Sequence, residues 1–100
     1  MIRAGFFRDC DGYRVVVEGH SGYAQAGQDI VCAAVSGIFF ALAGYLKNTP
    51  GGCDIISIRS GFAELACPRG SEEALKMACI GMIQVGELYP ECVTVCNKIF

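Results

Sequence analysis

Gly12–Lys47, GYRVVVEGHSGYAQAGQDIVCAAVSGIFFALAGYLK, changes its period halfway along. The first part has the two-residue rhythm of a strand, with Arg14, Val16, Glu18 and His20 on one face by alternation. From Ile30 to Leu46 seventeen residues carry no charge, between Asp29 and Lys47, and this stretch reads as a helix starting near Asp29 and ending at KNTPGG. Between strand and helix lies SGYAQAG, an uncharged loop with Gly22 and Gly27.

The chain on either side repeats this alternation of strands and helices. Upstream, MIRAGFFRD pairs with YRVVVEGH across Asp11-Gly12, a dipeptide that supplies the positive φ of a tight hairpin. Downstream, CDIISIRS and GFAELACP meet at Ser60-Gly61, and CVTVCNKIF forms a terminal strand. A second helix begins at Ser71, a residue able to cap, followed by Glu72 and Glu73 where the helix dipole favours negative charge. Ala74 occupies the position a full capping box needs, and Pro90 stops the helix. The order ββαββαβ, without repeats or a linker, predicts an α+β fold: one mostly antiparallel or mixed sheet with both helices on one face, in a single domain over residues 1–100. The first helix carries Ala33, Gly37, Ala41 and Gly44 at small-residue spacing, expected to serve tight packing within the chain ahead of a dimer seam.

Composition narrows the function. A chain of 100 residues is one domain that buries roughly 60–70% of its unfolded surface, a modest core that dimerisation can extend. With 8 basic and 10 acidic residues and no basic block, direct nucleic-acid binding through a charged patch is not expected. The seven cysteines are an odd number, and MIRAGFFRDCDG lacks the apolar run of a secretory signal. The expectation is a cytoplasmic protein with free thiols. The uncharged run would make a helix of about 25 Å, shorter than the ~30 Å hydrocarbon core of a bilayer, so it is read as a buried helix and not a membrane span.

The chemistry concentrates around the loop. With Asp29 as N-cap, Cys32 is the third helical residue. A thiol there faces first-turn N–H groups and the positive end of the dipole, which favour thiolate. An imidazole at His20 brought beside Cys32 takes its proton and later protonates a leaving amine. The plainer readings are a small core cysteine and a strand-end structural histidine. Ser21, Gly22, Tyr23 and Gly27 belong to a segment able to close over a peptide, within which Tyr23 reads equally as a lid contact or a surface aromatic. Ser36, one turn after Cys32, either orients the site or bonds the carbonyl four residues back.

GHSGYAQAGQDIVCAAVSGI closely resembles the signature of the bacterial ribosomal-processing cysteine proteases, the Prp family: G-H, a small residue, Y-A, then G-x-D-I-V-C-A-A-V-S. YPECVTV before the last strand is similar to the family as well. The resemblance implies that Cys32 is the nucleophile and His20 its partner in a Cys-His dyad, with Asp29 and Ser36 in support. It implies a homodimer that needs no metal or other cofactor. It also implies a substrate: the short N-terminal extension, ending in hydrophobic and often aromatic residues, of the large-subunit ribosomal protein L-twenty-seven.

Three rival readings are weighed against this. A structural zinc would have to join Cys92 and Cys96, which on a strand lie about 13 Å apart at ~3.3 Å per residue, too far for one ion with ~2.3 Å sulfur bonds. A thiol redox sensor suits a helix-terminal thiolate but needs a resolving thiol. A non-enzymatic, dimeric ribosome-assembly factor leaves the pairing of histidine with cysteine unexplained. Changing His20 to alanine separates them, because only a protease loses turnover.

Overall fold

The structure, a computed structural model, describes residues 1–25 and 27–100. Ala26, part of the expected substrate loop, lies outside the described residues. The elements follow the predicted order: β1 (Ile2–Asp9), β2 (Gly12–Glu18), α1 (Ile30–Lys47), β3 (Asp54–Arg59), β4 (Phe62–Pro68), α2 (Glu72–Leu88) and β5 (Val93–Asn97).

The five strands form one mixed sheet in the order β3-β4-β2-β1-β5. β5 runs parallel to β1, and every other neighbouring pair is antiparallel. Alternation sends Phe6 from β1, Val15 from β2 and Leu65 from β4 into the core, where each is fully buried. There they meet Val31, Val35, Phe39 and Leu46 of α1, and Leu75 and Met82 of α2. Each such side chain contributes roughly 1.5–3 kcal/mol by leaving water. On the opposite face Arg14 bridges Asp9 at 3.0 Å and Glu64 at 2.7 Å across the strands.

The first hairpin departs from expectation. Asp9 pairs with Gly12, so the turn residues are Cys10 and Asp11. Gly12 is not among the glycines of positive φ. Its requirement is space: a Cβ there would lie 2.0 Å from the Cys67 carbonyl oxygen of β4. The second hairpin matches expectation, with Gly61 at φ +75° between Arg59 and Phe62.

The helices also differ in detail. Ser71 makes no side-chain capping bond. The Glu72 carboxylate instead accepts the Gly70 N–H at 3.1 Å and the Tyr13 hydroxyl at 2.6 Å, tying the start of α2 to β2. α1 is long and apolar enough to cross a membrane by length and composition alone, yet only 33% of it is buried. The expectation that Ala33, Gly37, Ala41 and Gly44 pack within the chain is not met, because all four are exposed. α1 buries the stripe defined by Val31, Val35, Phe39, Leu42, Ala43 and Leu46, and the small residues lie on its other side.

Candidate active site

β2 ends at Glu18, two residues before His20. Strict alternation would carry His20 to the face of Arg14, away from the helices. Gly19 prevents this. Its φ of +94° turns the chain, and a Cβ at this position would strike the Met1 carbonyl oxygen at 2.2 Å. Its N–H donates to the Gly61 carbonyl at 2.8 Å, continuing the β2–β4 pairing one step past Glu18 and Phe62. His20 therefore sits against the β3–β4 turn, so close that a Cβ on Gly61 would lie 2.8 Å from its Nε2.

Two cavities share the result. One, of about 220 Å³, is walled by apolar side chains including Val17, Val35, Phe39, Phe40 and Phe62. The other, of about 660 Å³, is walled by small residues including Gly22, Ala24, Gly27 and Ala33. His20, Cys32, Ser36 and Ser60 line both. The structure thus brings together the cysteine, the histidine and Ser36. Ser36 is exposed, one turn beyond Cys32, and lines both cavities.

Asp29 caps α1 as expected, with extended backbone at φ −85° and ψ 97°. Its Oδ1 accepts the N–H groups of Val31 at 3.0 Å and Cys32 at 2.9 Å. Its Oδ2 accepts the Ser21 hydroxyl and, at 3.4 Å, the Ala24 N–H. The Ser21 hydroxyl first, then the Cys32 amide, hold the carboxyl down at about 2, against the opposing cost of burial. This corrects a step of the sequence argument. The Val31 and Cys32 amides at the start of α1 are taken by the Asp29 side chain. The amide that reaches the Cys32 sulfur comes from the loop: the Ser21 N–H, at 3.4 Å.

Of the loop residues, Gly22 and Gly27 adopt positive φ of +74° and +87° and line the larger cavity. Tyr23, half exposed, sets its ring edge-on to Tyr89 at the end of α2, with centroids 5.4 Å apart. Ser60, Gly61 and Phe62 were read from sequence only as a turn and a strand start. Their place in the site comes from β4 lying beside β2, which no local pattern signals.

Burial above all pushes the Cys53, Cys67 and Cys79 thiols up, which keeps them protonated. Among the described residues, no group of three or more His, Cys, Asp or Glu could hold a metal ion.

Residues 1–94 match the sequence profile of the family described as cysteine protease Prp. A segment of 28 residues is 57% identical to the ribosomal processing cysteine protease Prp of Mycoplasma pneumoniae, spanning 28% of this chain and 28% of that protein. The essential ribosomal processing protease Prp of S. aureus, solved with a covalently linked product peptide, superimposes with a TM-score of 0.85 at 22% identity, over 98% of this chain and 100% of that one. The same protease with a substrate peptide gives 0.77 at 23% identity over the same shares of the two chains. SMU.848 from Streptococcus mutans gives 0.74 at 25% identity over 98% of this chain and 94% of that one.

Proposed function

Since the chain belongs to the Prp family of cysteine proteases, we propose that it cuts one peptide bond in the N-terminal extension of the large-subunit ribosomal protein L-twenty-seven. The observation that carries this reading is the shared lining of the two cavities by Cys32 and His20. Cys32 attacks the scissile carbonyl and His20 accepts the thiol proton. His20 then protonates the departing amine as the tetrahedral adduct collapses to a thioester, and water hydrolyses the thioester with His20 as base. With the Val31 and Cys32 amides taken by Asp29, the hydroxyls of Ser36 and Ser60, which line both cavities, are the donors offered to the oxyanion.

The two cavities suit different side chains. The apolar one takes a hydrophobic or aromatic residue, and the wall of glycines and alanines takes small residues across the bond. An extension ending in aromatic residues fits this division. The loop with Gly22, Tyr23 and Gly27 covers the peptide and excludes water once it is in place.

The protein works as a homodimer in the cytoplasm. Support for the dimer is the exposed small-residue face of α1, flanked by Phe40 and Tyr45 at 54% and 60% exposure. It continues into a groove of about 530 Å³ lined by Ile38, Tyr45, Ala74 and Met77 between α1 and α2. Support for the compartment is the odd number of cysteines, seven, of which a disulfide framework would leave one over.

The test incubates the purified protein with full-length ribosomal protein and with a version whose extension has its aromatic residues changed to alanine, read by intact mass. A single cut in the first only is expected, abolished by Cys32→Ser and by His20→Ala. Equal cleavage of both versions, broad digestion of casein, or turnover by Cys32→Ser overturns the reading.

A further inference from the structure

Among the described residues Ser21 is the buried polar one, with 4% of its surface exposed. A serine in an uncharged loop, directly after a candidate acid-base histidine, has no obvious reason to be buried. Two of its polar atoms, the hydroxyl oxygen and the backbone nitrogen, make three hydrogen bonds of consequence. The hydroxyl donates to Asp29 Oδ2. The same oxygen accepts the Tyr23 N–H at 3.0 Å, a serine turn that sets the course of the loop. The backbone N–H donates to the Cys32 sulfur at 3.4 Å.

We propose that Ser21 is a positioning residue, whose hydroxyl bond to Asp29 holds its own backbone N–H on the Cys32 sulfur. The proposal rests on the reading of Cys32 as nucleophile and adds to it the source of the thiolate's stabilisation.

The physical argument has two parts. An N–H aimed at sulfur favours the charged thiolate over the neutral thiol, and in this helix the other nearby amides are already committed to Asp29. An ionised carboxylate beside the nucleophile would by itself oppose thiolate formation. The Ser21 hydroxyl and the amides of Val31, Cys32 and Ala24 disperse that charge. Ser21 therefore serves the sulfur twice, through its amide directly and through Asp29 indirectly. It also links the nucleophile to the loop: a motion that carries Tyr23 away pulls on the oxygen that fixes the Ser21 amide.

The experiment measures the rate of Cys32 alkylation by iodoacetamide against pH, by peptide mass, in the full chain and in Ser21→Ala and Ser21→Thr. Exposed Cys10 serves as internal control. Loss of one hydrogen bond to a charged group is expected to slow Cys32 about tenfold at neutral pH and to move its profile upward by about one pH unit. Cys10 should be unchanged. Threonine, which keeps the hydroxyl, restores the profile. In peptide cleavage, kcat falls with the alkylation rate and KM stays. An unchanged Cys32 profile in Ser21→Ala overturns the proposal, as does a shift that threonine does not restore. Should Ser21→Ala not fold, Ser21→Cys, of similar shape but a weaker donor, is expected to give an intermediate shift, and a parental profile in that variant overturns the proposal equally. Alkylation does not depend on turnover, so a failure here is distinct from a failure of the nucleophile assignment, which Cys32→Ser alone decides.

Discussion

Gly61→Ala separates the effect of a strained backbone from that of a displaced His20. Gly61 has φ +75°, and an added Cβ would lie 2.8 Å from His20 Nε2. Ordinary contact begins near 3.4 Å, so the imidazole must retreat by about 0.6 Å or the turn must yield. Gly52, at φ +59° with nothing within 4 Å of its Cβ position, is the matched control. Alanine in the left-handed region costs roughly 1–2 kcal/mol at either site, which for a domain of this size lowers Tm by roughly 4–16 °C. Only the variant at 61 should also lose rate. If a 1 Å misplacement of a catalytic group costs about 10²-fold, a shift of 0.6 Å costs on the order of tenfold in kcat. The assay is steady-state cleavage of a peptide spanning the processing site, with thermal unfolding followed by circular dichroism on the same samples. Similar Tm losses with a kcat loss confined to Gly61→Ala are expected. Equal kcat in the two variants would refute the placement of His20 by the β3–β4 turn.

Gly12→Ala should be more damaging to the fold, because the Cβ would meet backbone, with Cys67 O at 2.0 Å and Pro68 Cα at 2.9 Å. A loss above about 3 kcal/mol in urea unfolding is expected, and a parental midpoint would count against the close approach of β2 and β4. Asp29, held at about 2 against an ordinary 3.8, contributes stability that is fully present above that ordinary value and lost as the pH falls through about 2. The stability difference between the parent and Asp29→Asn should therefore be flat from roughly pH 7 to 5 and shrink toward pH 2. A difference that grows in acid would show that the carboxylate is not the stabilised form. Ala41→Glu on the exposed face of α1 should convert a dimer to a 10.6 kDa monomer in light scattering without loss of helix content. A dimer that persists would place the interface elsewhere.

The order of elements, both hairpin positions to within a residue, the limits of α1 and the cap at Asp29 were legible from residues alone. So was the place of Cys32 in the first turn. These are local matters: alternation, an uncharged run, an aspartate ahead of it and glycine in a turn act over a few residues. The resemblance around His20 and Cys32 added the pairing of those two side chains. The tertiary structure decided the rest. His20 follows strand alternation in sequence but not in space, because Gly19, where a Cβ would meet the Met1 carbonyl and whose N–H donates to the Gly61 carbonyl, turns the chain at positive φ. Ser60 and Gly61 reach the site because the sheet order sets β4 beside β2. Gly12 is needed for an approach between strands, not for a turn. Asp29, read as a cap, also takes the amides that a helix terminus was expected to offer the sulfur, and Ser21 supplies one in their place. Each of these depends on partners distant in sequence, and hydrophobic periodicity specifies which face of an element is buried without specifying which neighbour covers it.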